Sequence, residues 1–300
     1  MKRASRNVSE QGMRGVLAAS LTPRRASEPV VDLAALLEVI DFLCSAGVQG
    51  IVLFGSTGEF VHFGSADRSR ALSLAVKRSR CPVYANVAHS NLDSALALAD
   101  EAASTGAAGV LLTPPIYFRY DQETVRQYYL EFLNAVHGML PAYLYNIPAF
   151  CTPISVETAA SLIADGYAGI KDSSGDWDNF QALSRYKQEH PFTLLVGHDA
   201  IFARARGAGA DGVVSGVACA IPELLLALDR AIARHDEAET ERLDARLHEF
   251  LDRMECFPTP VAIKAALAAR GIKTGPSPVP LAPETQAALD EFRDWFRAWL

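Results

Sequence analysis

The sequence predicts an α/β protein built as a (β/α)8 TIM barrel with a C-terminal helical extension. Three observations carry that prediction. Short, nearly all-apolar runs recur eight times, segments of helical period separate them, and polar caps and glycines mark the joins. At 300 residues the chain is long enough for two average domains, or for one barrel with residues to spare. A doubly wound open sheet shares the alternation and is the second fold considered.

Strands are predicted at 15–21, 50–54, 83–87, 109–112, 142–145, 168–171, 193–196 and 212–215. Their continuous apolar character suits strands covered on both faces. Helices are predicted between them at 33–46, 66–79, 92–105, 122–136, 156–165, 177–189, 200–207 and 222–234. Asp32, Ser65, Asn91, Asp121, Ser155, Asp176 and Asp199 each precede a helical pattern, where a short polar side chain accepts from free backbone N–H groups. Gly47, Gly106, Gly166 and Gly209 follow helices and suit their left-handed ends. After Arg234 the alternation stops, and 237–256, 261–270 and 284–299 read as helices packed outside the barrel. The predicted organisation is a disordered tail over 1–12, a barrel with the active site over 13–235, and the helical extension over 236–300.

Half the residues are apolar and 21% are charged, which excludes a disordered or fibrous chain. Lys and Arg number 28 against 35 Asp and Glu, a net charge of −7, so no global positive field attracts nucleic acid or anionic lipid. No apolar run approaches the roughly 20 residues that cross a bilayer. The basic start at Lys2, Arg3 and Arg6 is not followed by the apolar stretch of a secretion signal. Cys44, Cys81, Cys151, Cys219 and Cys256 are odd in number and widely spaced, with no CxxC and no histidine at ligand spacing. Neither a disulfide framework nor a metal site is indicated, and reduced thiols place the protein in the cytoplasm.

Barrel active sites form where strands end, so the residues at those ends matter most. The second strand runs into Gly55-Ser56-Thr57-Gly58-Glu59, a turn suited either to structure alone or to holding an anion on backbone N–H groups and two hydroxyls. The fifth ends in Tyr145-Asn146-Ile147-Pro148 and the sixth in Lys171-Asp172-Ser173-Ser174-Gly175-Asp176. A lysine ending an apolar strand either reaches the rim, paired with Asp172, or lies in the barrel mouth as a desolvated nucleophile for carbonyls. A neighbouring phenol favours the second reading, because Tyr145 would shuttle protons during imine formation, with Ser56 or Thr57 as relay. His198, after the seventh strand, suits either a structural hydrogen bond or a substrate hydroxyl. Asp199 reads first as a helix cap. The loops at Gly55 and at Gly212 to Gly216 also fit a phosphate-handling barrel, which leaves Lys171 and Tyr145 without a role.

These motifs, together with Gly209-Ala210-Asp211-Gly212-Val213-Val214-Ser215-Gly216, resemble the dihydrodipicolinate synthase and N-acetylneuraminate lyase family, with lysine and tyrosine 26 residues apart. The likeness runs from Gly15 into the C-terminal helices. It implies a class I aldolase without organic cofactor or metal. Lys171 is expected to form a Schiff base with pyruvate or another 2-oxo acid, and Tyr145 to move protons. Ser56 and Thr57 are expected to hold the carboxylate and continue the relay. Gly55, Val214, Ser215, Phe150 and His198 are expected around the substrate, with Cys219 beside the last two. Tyr117 matches a tyrosine that reaches a neighbouring subunit, implying a homo-oligomer, dimer or tetramer.

Two positions depart from the family's patterns. Phe150 stands where the synthases carry a carboxylate-binding arginine, and Ala200 stands where the sialic acid lyases carry an acid. An apolar ring does not replace a bidentate guanidinium. Tyr145-Asn146-Ile147-Pro148-Ala149 and Gly169-Ile170-Lys171-Asp172-Ser173-Ser174-Gly175-Asp176 look most like members that cleave 2-keto-3-deoxy sugar acids, and this resemblance implies making or cleaving a C–C bond between pyruvate and an aldehyde, on a 2-keto-3-deoxy acid. The alternatives are 4-hydroxy-tetrahydrodipicolinate synthesis from pyruvate and aspartate semialdehyde, dehydration of a 2-keto-3-deoxy acid, and a protein that only binds a 2-oxo acid.

Overall fold

The computed structural model describes residues 12–300. All of the predicted tail over 1–12 except Gly12 lies outside the described residues. Eight parallel strands follow one another around a closed barrel, and the last pairs with the first. They are β1 (Gly15–Ala19), β2 (Gly50–Leu53), β3 (Val83–Asn86), β4 (Gly109–Leu112), β5 (Ala142–Asn146), β6 (Gly169–Asp172), β7 (Thr193–Val196) and β8 (Gly212–Ser215). Closure excludes the open sheet, which would leave two edges.

Between the strands run α1 (Leu33–Ala46), α2 (Ser65–Arg78), α3 (Leu92–Thr105), α4 (Gln122–Val136), α5 (Val156–Asp165), α6 (Trp177–Glu189) and α7 (Phe202–Gly207). After β8 come α8 (Pro222–Ala233), α9 (Glu237–Met254), α10 (Val261–Ala269) and α11 (Pro283–Trp299). The side chains of Asp32, Asn91, Asp121, Ser155 and Asp176 accept from the backbone N–H groups of their first turns, as predicted. Ser65 does not cap. It is the first helical residue of α2, and the extended Gly64 precedes it.

Alternation along the strands divides the apolar residues between two cores. Val16, Ile51, Leu144, Ile170 and Val213 face outward against the helices. Leu17, Val52, Leu111, Tyr143, Tyr145, Leu195 and Val214 fill the interior. The edge-to-face pair Tyr84 and Tyr143 packs within this interior set. Each fully buried large side chain contributes about 1.5–3 kcal/mol, so register is strongly fixed.

The C-terminal helices depart from their predicted place. An aromatic cluster of Phe250, Phe292, Trp295, Phe296 and Trp299 packs α11 against α9. The end of α9 and the turn into α10 thereby reach the barrel mouth rather than packing wholly outside it.

Candidate active site

Lys171 lies on β6 opposite Tyr145 of β5 in the strand register. It is only 3% exposed, and its Nζ lies 3.9 Å from the centre of the Tyr145 ring. A cation or amine over a phenol face is attracted by the ring quadrupole. The pleat sends the next residue the other way. The Asp172 carboxylate accepts from Asn146 Nδ2 at 2.8 Å, Ser174 Oγ at 2.9 Å and Asn179 Nδ2 at 3.0 Å. Those bonds occupy Asp172 on the opposite side of the strand, which disposes of the Lys171–Asp172 pair.

Tyr145 carries the site toward β2, with its hydroxyl 3.2 Å from Ser56 Oγ. Ser56 and Thr57 sit in a turn flanked by two non-glycine residues in the left-handed region, Phe54 at φ 59° and Glu59 at φ 52°. Such residues cost about 1–3 kcal/mol each and persist only where surroundings hold them. Asn86 Nδ2 donates to the Phe54 carbonyl at 2.7 Å. The buried Arg68 guanidinium donates to the Asn86 and Ala88 carbonyls at 2.7 and 3.1 Å and packs against Phe54 and Phe60. Burial lowers the Arg68 pKa to about 10. Lys264, on α10, donates to Glu59 Oε2 at 2.9 Å. A Cβ at Gly58 would stand 3.0 Å from both Phe54 N and the Ser20 carbonyl, so the turn is as tight as the chain permits.

A cavity of about 500 Å³ opens over Lys171, Tyr145, Ser56 and Thr57. Gly197 gives the amine its room, because a Cβ there would lie 2.6 Å from Lys171 Cε and collide with Ser173 Oγ. Ser173 and Asp199 also line the cavity, and Ser173 Oγ and Asp199 Oδ1 are buried without a hydrogen-bond partner. Unpaired buried groups are rare enough in native proteins to call for a ligand or water. Burial pushes the Asp199 carboxyl up, against the opposing pull of Ser215, His198 and Lys171. Asp199 is therefore no helix cap: it opens a short 3-10 turn that carries no side-chain cap.

The expected site residues fall into two groups. Lys171, Tyr145, Ser56, Thr57, Val214, Phe150 and His198 all line the cavity. Ser215 is fully buried, its Oγ accepting from Ala218 N at 2.8 Å, and Gly55 is not on the cavity wall. Tyr117 is 86% exposed and lies off its own chain's cavity, stacked edge-on with Phe118. Cys219 does not line the pocket. It is fully buried, with its Sγ accepting from Leu21 N. Sequence reasoning missed Ser173 and the distal wall, where α9 and the following turn bring His248, Asp252, Glu255 and Thr259 to the mouth. Among the described residues no group of three or more His, Cys, Asp or Glu is placed to hold a metal ion, and no helix is long and apolar enough to cross a membrane.

The model of the dihydrodipicolinate synthetase family matches residues 12–298. The chain belongs to that family. As a member of the dihydrodipicolinate synthetase family it is a lyase of the class I aldolase type. It is 33% identical to an uncharacterised DapA-like lyase of Halobacterium salinarum, over 90% of this chain and 88% of the relative. It is also 33% identical to a 4-hydroxy-tetrahydrodipicolinate synthase of Stenotrophomonas maltophilia, over 86% and 87%. Among solved structures, YagE of E. coli, a family member crystallised in complex with pyruvate, shares 25% identity and a TM-score of 0.87, covering 95% of this chain and 98% of that one.

Proposed function

We propose that this enzyme makes or cleaves a C–C bond between pyruvate and an aldehyde through an imine on Lys171, acting on a 2-keto-3-deoxy acid. The observation that carries the reading is the line Lys171, Tyr145, Ser56, with 3.9 Å from amine to ring centre and 3.2 Å between the hydroxyls. In cleavage, the Lys171 amine attacks the 2-oxo carbon, the ketone oxygen takes protons delivered by Tyr145 and leaves as water, and a protonated imine remains. Tyr145 then takes the proton from the C4 hydroxyl while the C3–C4 bond breaks. The electron pair passes into the imine, giving an enamine and a free aldehyde. Protonation at C3 and hydrolysis release pyruvate and restore the amine. Thr57 and the backbone N–H groups of its turn hold the carboxylate.

The wall supports a neutral, hydroxylated aldehyde. Among the described residues no arginine lines the cavity, whereas Asp199, Asp252, Glu255, Ser173, His198 and His248 do. An anionic aldehyde would meet carboxylates without a guanidinium, at a desolvation cost nothing offsets. The synthase named among the relatives favours the other reading, condensation with aspartate semialdehyde. Trapping with pyruvate and borohydride should add mass to the Lys171 peptide, and an unmodified peptide sinks the imine. Glyceraldehyde should then turn over far faster than aspartate semialdehyde; the reverse order selects the synthase.

The same reading makes the enzyme a cytoplasmic homo-oligomer, dimer or tetramer. Its support is an exposed apolar rim of Val61, Tyr117, Phe118 and Phe150, each more than half accessible, and five unpaired cysteines. Sedimentation analysis should give a dimer or tetramer, and a monomer at micromolar concentration contradicts it.

A further inference from the structure

At the end of the barrel opposite Lys171, two thiols far apart in sequence face each other. Cys44 lies in the last turn of α1, and Cys81 lies between α2 and β3. Their sulfurs are 3.5 Å apart, and Ser79 Oγ touches both, at 3.4 Å from Cys44 and 3.5 Å from Cys81. The two segments are clamped on either side. Arg78 holds Asp41 with two hydrogen bonds, and Arg80 donates to Ser45 Oγ at 3.0 Å. Both cysteines are half-buried, so small oxidants reach them.

The environments of the two thiols differ in the sense that thiol oxidation requires. Burial opposes ionisation of Cys44, but hydrogen bonds from Ser79, the Arg80 amide and Cys81 outweigh it and bring the thiol below its usual range. Burial pushes Cys81 up to about 11. The more easily ionised thiol lies 3.5 Å from one that holds its proton more tightly, the order of an attacking and a resolving cysteine.

We infer that Cys44 and Cys81 form a reversible peroxide-sensitive pair that closes to a disulfide between α1 and the approach to β3. The Cys44 thiolate attacks a peroxide oxygen, forming an S–O bond as the O–O bond breaks and hydroxide leaves. Cys81 gives up its proton and attacks the Cys44 sulfur. The S–S bond forms, the S–O bond breaks, and the departing hydroxide takes that proton as water. The first hydroxide takes up the proton Cys44 released on ionising. Two thiols and one hydrogen peroxide thus become one disulfide and two waters, with two electrons passing from sulfur to oxygen. The bond spans a clamp already in place, so it demands little movement of either segment. The lower end of a barrel serves stability rather than chemistry, so the cross-link should raise the melting temperature by several degrees and leave turnover unchanged.

The test uses the full chain carrying Cys256→Ser, which removes the exposed thiol. After dilute hydrogen peroxide, unreduced peptide mapping should find Cys44 joined to Cys81, with two hydrogens lost and the link undone by dithiothreitol. A Cys81→Ser variant should instead accumulate a sulfenic acid at Cys44 that dimedone traps. A Cys44→Ser variant should yield no sulfenic acid at Cys81. Direct passage of Cys44 to sulfinic acid with Cys81 present, or survival of both free thiols, overturns the inference. So does a cross-linked form that melts no higher than the reduced one.

Discussion

Lys264 Nζ lies 2.9 Å from Glu59 Oε2 and 3.0 Å from the Pro276 carbonyl, inside a contact where both side chains are less than a tenth exposed. This buried pair ties α10 to the turn that carries Ser56 and Thr57. Removing one partner of such a pair leaves an uncompensated buried charge. Lys264→Met should therefore lower stability by about 3–5 kcal/mol. The double variant Glu59→Gln, Lys264→Met should recover most of that loss, read from urea unfolding of the four proteins. A single variant within about 1 kcal/mol of the parent would show that the turn stands without the tie.

Gly197 should tolerate no side chain. In Gly197→Ala the new methyl meets Lys171 Cε at 2.6 Å and the Ser173 hydroxyl, so the amine must shift. Displacement of a reacting atom by about 1 Å costs on the order of 100-fold in rate. Imine trapping with pyruvate should slow to that degree while circular dichroism stays unchanged. Trapping at the parent rate would mean that the Lys171 stem has room elsewhere.

Tyr145 and Ser56 should separate by size of effect. Tyr145→Phe keeps the ring beside Lys171 and deletes the proton carrier, for an expected loss of about 10²–10⁴ in kcat. Ser56→Ala leaves the phenol in place and should cost less. Steady-state rates on a 2-keto-3-deoxy acid provide the comparison, and a larger loss in Ser56→Ala would reverse the proposed roles.

Asp199 should leave its mark on stability against pH. Its carboxyl is raised by burial, so the native state binds that proton more tightly than the unfolded chain. Its contribution is then most favourable in acid and falls as pH rises from the ordinary aspartate range through the raised value. Asp199→Asn removes this fall, so the variant should gain on the parent as pH rises from about 4. Parallel melting curves across that range would place the carboxyl in water.

The barrel was legible because each strand is a short apolar run and most helices open with a side chain able to cap. Asp32, Asn91, Asp121, Ser155 and Asp176 do what their spacing suggests. Lys171 and Tyr145 were legible for a related reason: strand ends are local, and a lysine closing an apolar run is conspicuous. Asp199 misled because it too precedes a helical pattern, and only burial distinguishes a cap from a carboxyl aimed at a cavity. The distal wall left no signal, since the amphipathic face of α9 states that the helix docks but not where. The Glu59–Lys264 tie spans 205 residues and has no local signature.

That separation has a consequence in time. During synthesis Glu59 emerges 205 residues before the cation that neutralises it, and the strands of the barrel are complete before α10 exists. A growing chain folds from its beginning, while contacts this distant in sequence form late. Until residue 264 has left the ribosome, the turn bearing Ser56 and Thr57 holds a carboxylate in want of its counter-charge. The turn bearing Ser56 and Thr57 is therefore joined to α10 only after all eight strands have been made.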